Sequence, residues 1–197
     1  NWRGRTKWEE WKAKWEAKGE KFDLASVLPP QVPDDLNFAK STLFEPLFDV
    51  DSNGKPSDQA ALNVAKDRFG LERSPRNSFG WRHGHHRDFA AWENEFLQLD
   101  NPPAKGATPV DTVLVALESY AADMAKMAND VRRPHSRFDV RYEDSFAALL
   151  PHLAVQRQAA ILFSLRASAC LTKDDIEGAL LDTITTILLA ESLATEP

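Results

Sequence analysis

The run Pro151-His-Leu-Ala-Val-Gln-Arg-Gln-Ala-Ala-Ile-Leu-Phe-Ser-Leu-Arg-Ala-Ser-Ala-Cys-Leu171, with Thr172-Lys-Asp-Asp175 and Ile176-Glu-Gly-Ala-Leu-Leu-Asp-Thr-Ile-Thr-Thr-Ile-Leu-Leu-Ala190 after it, decides the fold. Its first part is apolar around most of a helical circumference, which marks a helix at the centre of a domain. Pro151 kinks or restarts the helix into which 142–150 leads, because proline is tolerated only in a first turn. Thr172–Asp175 reads as a short turn with an N-cap. The helix after it places Ile176, Ala179, Leu180, Thr183, Ile187 and Ala190 on one side. Two long helices joined by so short a turn lie antiparallel, giving a helical hairpin over 143–195.

Upstream, Thr108-Pro109 with Asp111 reads as a capped helix start. Val110, Val113, Leu114, Leu117, Ala121, Met124 and Ala128 then form one stripe, and the helix ends before Pro134. Residues 137–142 alternate Phe138, Val140 and Tyr142, yet one strand makes no sheet, so they read as an extended connector. Phe89, Trp92, Phe96 and Leu99 mark another helical face, closed by Asn101-Pro-Pro103. Residues 70–86 are rich in Gly, Ser, Pro, Arg and His and read as an exposed loop. Ser57 or Asp58 caps a helix to about Phe69. Residues 34–48 form short turns that tuck Phe38, Leu43, Phe44, Leu47 and Phe48 inward. Three prolines within 29–33 make an extended connector, a composition that also suits a proline-binding partner. A first helix runs from about Arg5 to Lys21 and stops at or shortly after Gly19. No segment sustains the alternation of a sheet. The expected fold is all-α, a bundle of about six helices ending in a repeat-like hairpin: an N-terminal helix in 1–28 and a single α-helical domain in 29–197.

The 197 residues are 43% hydrophobic and 27% charged, with six Trp and eleven Phe, which excludes a disordered or low-complexity chain. One cysteine excludes an intramolecular disulfide framework and a multi-cysteine zinc site. The net charge of −6 argues against nucleic-acid binding. No apolar run reaches the length of a membrane span. Residues 1–21 differ: seven cations against four carboxylates give +3, leaving −9 for the rest. Trp8, Trp11 and Trp15 fall within about 60° of one another on a helix, with Trp2 off the stripe. Trp mixed with Lys and Arg suits the polar edge of a membrane, as in a juxtamembrane helix. It equally suits an amphipathic helix that packs three Trp onto its own domain. The chain opens at Asn1 without an initiator Met, so a processed product or a piece of a longer polypeptide is expected.

Leu165–Leu180 resembles the centre of a tetratricopeptide unit, with Ala167 and Ala179 standing twelve apart where that repeat needs small residues. Cys170 replaces the usual aromatic, Glu191 stands where a terminal proline is usual, and no second copy recurs at a period near 34. As a whole the chain resembles a family of uncharacterised, envelope-associated bacterial helical proteins. The phrases that carry this are Trp8–Phe22, Pro29-Pro-Gln-Val-Pro-Asp-Asp-Leu-Asn-Phe38, Arg133-Pro-His-Ser-Arg-Phe138, Leu149-Leu-Pro-His-Leu153 and Ala190–Pro197. The resemblance implies a cell-envelope location and a larger, membrane-anchored parent. It supplies no activity and no catalytic residue.

Three clusters are candidates for chemistry. Asp49, Asp51 and Asn53, followed by Gly54, match the first half of a calcium loop, but Ala60 stands where a bidentate Glu belongs. A hydrophilic turn explains the same residues. His83, His85 and His86, three of the five histidines, stand before Asp88 and suit a metal. Arg82 and Arg87 would repel the cation, and an exposed polar loop is the plainer reading. Arg132, Arg133, His135, Arg137 and Arg141 form a basic cluster for an anion or a partner's carboxylates, or for the chain's own acids such as Glu143 or Asp144. Cys170 reads as a small buried hydrophobe. His152 faces a pocket or, more in keeping with its place after Pro151, bonds a helix end. No Gly-rich phosphate loop or nucleophile elbow is present, and no cofactor is expected.

The expectation is a binding or scaffolding domain, its partner another protein or the remainder of its own chain, using a groove beside the hairpin. One alternative is a metal-dependent hydrolase built on His83, His85, His86 and Asp88. The other is a structural domain that packs on a further C-terminal part of the chain. An exposed apolar groove, converging His and Asp side chains, and a flat apolar face on the final helix discriminate the three in turn.

Overall fold

The computed structural model describes residues 2–23, 26, 28, 30–51, 55–71, 75, 87–143 and 148–194. Its helices are α1 (Trp2–Glu16), α2 (Glu45–Phe48), α3 (Gln59–Asp67), α4 (Phe89–Leu97), α5 (Pro109–Leu117), α6 (Ala121–Asp130), α7 (Pro151–Thr172) and α8 (Ile176–Ala194). Seven of these have nine residues or more. Among the described residues there is no strand, only the isolated bridges Asn37–His135 and Val50–Pro56. The fold is all-α.

Local chemistry sets most helix ends. Asp58 accepts from the backbone N–H groups of Ala60 and Ala61 to start α3, and Asp88 accepts from Ala91 to start α4. Thr108 and Asp111 close a reciprocal capping box at α5, with Pro109 in the first turn. Pro151 opens α7, so it restarts the helix rather than kinking it. α1 stops earlier than Lys21. Gly19, at φ +92°, donates to the Glu16 carbonyl, and Glu20 donates to that of Trp15. This is the left-handed cap that glycine adopts without a steric penalty.

The expected 109–133 helix is interrupted by a 3₁₀ turn at Glu118–Tyr120. Three residues at 3.0 per turn rather than 3.6 rotate α6 by about 60° relative to an unbroken helix. That rotation buries Met127 and Val131 alongside Met124, and leaves Ala121 and Ala128 half-buried.

α7 is central, as its all-round apolar sequence requires, with α3, α5, α6 and α8 packed around it. Its Val155, Ala159, Leu162, Phe163 and Leu165 join Trp92, Phe96, Val113, Leu117 and Met124 in one core. At one end Phe38, Phe44 and Phe138 meet edge to face, and the His152 ring stacks on Phe138 at 3.9 Å. His152 is therefore part of the aromatic core. The extended connector 135–138 is held against residues 36–38: Phe38 donates to the His135 carbonyl, and the Asn37 side chain bonds both backbone groups of Arg137. Beneath this clip the buried Ser41 hydroxyl donates to Asp130 at 2.6 Å.

α7 and α8 form the helical hairpin. Asp174 makes the turn at φ +60°, and Asp175 caps α8 by accepting from Gly178. Lys173 pairs with Asp111, tying the turn to the start of α5. Ala167 and Ala179 are both buried. Cys170 is buried as expected, and burial pushes its thiol above the ordinary range.

Candidate functional site

α8 turns small and polar residues towards α7. Ala179, Asp182, Thr185, Leu189 and Ser192 are its buried positions. Burial of hydroxyls is tolerable here because Thr185 donates to the Leu181 carbonyl, and Ser192 to that of Leu189. Asp182 accepts two bonds from the Arg166 guanidinium, which raises the pKa of Arg166. This directional pair and the close approach allowed by the alanines fix the rotation of α8.

The opposite side of α8 therefore faces out. Of the six residues expected together on one side, only Ala179 is buried. Ile176, Leu180 and Ile187 are 62%, 57% and 52% exposed, and Thr183 and Ala190 on the same side are exposed too. Leu171, before the turn, is also exposed. The result is a flat apolar face along one helix, with Glu177 and Glu191 at its edge. The sequence carried a sign of it: Ala179, Asp182, Thr185 and Ser192 recur at helical spacing and mark a second, small-residue stripe.

A second apolar feature lies beside the first turn of α7. It is a groove of about 290 Å³ lined by Leu47, Phe48, Leu62, Leu149 and Pro151, with Lys66, Asp139 and Arg141 among its polar residues.

Of the remaining candidates, His83, His85 and His86 lie outside the described residues. Asp88 spends a carboxylate oxygen on capping α4, and its neighbour Arg87 donates to Ser164 on α7. Burial lowers the pKa of that guanidinium. In the calcium-like loop, Asn53 lies outside the described residues. Asp49 accepts from the Ser57 hydroxyl and Asp51 from the Lys55 backbone, which are the bonds of a hydrophilic turn. Among the described residues no group of three or more His, Cys, Asp or Glu is placed to hold a metal.

The basic cluster is divided by the clip. Arg133 donates to the carbonyls of Asn37 and Asp34 and pairs with Asp130, one of the chain's own acids. His135 and Arg137 contribute their backbone to the same clip, while Arg132 and Arg141 are exposed. Burial works to raise the Asp130 carboxyl, but bonds from Ser41, Lys126 and Asn129 bring it below the ordinary range.

Fold and surface together define an all-α domain with an apolar face on its last helix. No protein-family model, curated protein or solved structure matches the chain. No helix among the described residues is long and apolar enough to cross a membrane.

Proposed function

We propose that this chain is a non-catalytic domain that packs through the outer face of α8 against a further helical part of its own polypeptide, the reading that a flat apolar face on the final helix favours. The observation that carries this reading is the exposure of Ile176, Leu180 and Ile187 in line along one helix. Such contiguous apolar area is what a partner covers, because leaving it in water forgoes about 25 cal/mol for each Å². A helix of that remainder occupies the face by ridge-and-groove packing, and a separate helical protein is the alternative occupant. The resemblance to envelope-associated bacterial proteins supports a setting at the cell envelope, in a membrane-anchored parent.

A photo-crosslinking amino acid in place of Leu180 or Ile187, in the full-length protein in its own cells, tests the proposal. A discrete adduct from both positions, and none from the exposed Arg157 on α7, is expected. A shift within one polypeptide points to its own remainder, and a heavier adduct to a separate protein. Crosslinking from neither position rules the α8 face out.

A further inference from the structure

α1 is built unlike every other long helix among the described residues: none of its residues is buried. Its rings pack on one another instead of on the core. Trp8 stacks on Trp11 at 5.2 Å, and Trp11 meets Trp15 at 5.8 Å. The turn at Gly19 brings Phe22 back over the same rings, 6.0 Å from Trp8 and 5.3 Å from Trp11. The outcome is an aromatic ridge whose Trp8 and Trp11 remain 49% and 44% exposed. The reading in which three Trp pack onto the domain is thereby corrected: Phe22 is their one aromatic partner from beyond α1 among the described residues, so the ridge has no buried seat.

The charges around the ridge are sorted. On a helical wheel Lys7 and Lys12 flank the Trp stripe at about 70° on either side, and Arg5 and Lys14 follow at about 90°. Glu16, Glu9 and Glu10 lie beyond them, at about 110° or more from the centre of the stripe. Past the helix end, the Lys18 ammonium stands 4.3 Å over the Trp15 ring. Glu16 stays 3.6 Å from Lys12, on the side away from the rings. Cations thus line both shores of the ridge, and the carboxylates of α1 itself occupy the back.

We infer that the Trp8–Trp11–Trp15–Phe22 ridge is a docking surface for an anionic phospholipid bilayer, with α1 lying in the plane of the headgroups. Indole rings are amphipathic and settle at headgroup depth, while flanking lysines extend along the surface to lipid phosphates. Charge complementarity favours this occupant. The segment carries +3 in a chain whose remainder carries −9, so an anionic surface attracts α1 and holds off the rest. The α8 reading is independent of this one, since the two surfaces share no residue.

The test uses the whole chain floated with vesicles of phosphatidylcholine, with and without about one-third phosphatidylglycerol. Binding to the anionic vesicles is expected to exceed that to neutral ones at least about tenfold, and to fall as salt rises. The triple variant Lys7→Gln, Lys12→Gln, Lys14→Gln is expected to bind about a hundredfold more weakly. The double variant Trp8→Ser, Trp11→Ser is expected to lose at least about tenfold. Brominated lipid quenches the tryptophan emission of the parent chain more than that of this double variant. Thermal unfolding of both variants stays that of the parent chain, since α1 contributes nothing to the core. Absence of flotation with anionic vesicles overturns the inference. So does vesicle binding that the tryptophan variant leaves unchanged. An oligomer that this variant dissociates, in a chain that ignores vesicles, assigns the ridge to a protein instead.

Discussion

Arg166 on α7 donates from Nε and Nη2 to the two carboxylate oxygens of Asp182 on α8, at 2.8 and 2.6 Å. Asp182 is buried and Arg166 half-buried, so the fork lies at the seam between the two longest helices. A bidentate pair fixes orientation as well as distance. It therefore settles which side of α8 faces inward, and with it which apolar residues are left for a partner.

Asp182→Asn is expected to destabilise the domain by about 2 kcal/mol, since it leaves a partly buried guanidinium without its charge partner. Arg166→Lys, which has no planar fork, is expected to lose a similar amount. Urea unfolding measures both. A midpoint unchanged in the two variants contradicts the role given to the pair.

Leu180→Gln and Ile187→Gln are expected to change stability by no more than about 0.5 kcal/mol each, as surface positions do. Leu162→Ala, in the core of α7, is expected to cost about 2–5 kcal/mol. Should Leu180→Gln unfold the protein, α8 is rotated the other way and the interaction face is lost as an idea.

Gly106 and Gly19 separate two kinds of glycine. A Cβ at Gly106 would stand 2.5 Å from the Asp111 Cβ and 2.6 Å from the Thr112 nitrogen. Backbone must move, and with it the bond from Gly106 to the Thr112 hydroxyl, which itself donates to the buried Glu93. Gly106→Ala is expected to cost about 2 kcal/mol or more of global stability. Gly19→Ala meets nothing within 4 Å but is strained at φ +92°. Its cost of about 1 kcal/mol falls on the end of α1, lowering helicity by circular dichroism without moving the thermal midpoint.

Acid is expected to weaken the fold through Asp130 and Asp111. Lys173 and Thr108 hold Asp111 below the usual carboxylate range, as the bonds around Asp130 do for that residue. A depressed folded-state pKa means stability that is fully present above the unfolded value, about 4, and is lost as pH falls through the folded one. Melting temperatures should therefore drop below about pH 4. Asp130→Asn should melt lower at pH 7 and show a flatter acid limb. Parallel curves for variant and parent would refute the linkage.

The ends of the helices were legible because capping is local chemistry. Thr108 and Asp111, Asp58, Gly19 and Pro151 each act within about four residues of the group they satisfy, whereas Asp88, read as a candidate metal ligand, caps α4. The centrality of α7 was legible too, since a helix apolar all round has nowhere else to go. The calcium-like turn could be read both ways, and the bonds of Asp49 and Asp51 are those of its turn reading. The stacking of His152 on Phe138 was not legible, because Phe138 stands fourteen positions earlier in sequence and only the tertiary fold brings the two rings together.

By itself the sequence determined an all-α chain, the capped ends of several helices, the hairpin and the separate character of the Trp-rich first helix. Tertiary structure alone decided direction: which side of α8 is inside, how far the 3₁₀ turn rotates α6, and that the Trp ridge packs on Phe22 and not on the core. The physical reason is that hydrophobic burial is non-directional. A helix with an apolar stripe on one side and small residues on the other has two candidate inner faces of comparable standing. The choice between them falls to a directional contact between separate elements, here the one between Arg166 and Asp182.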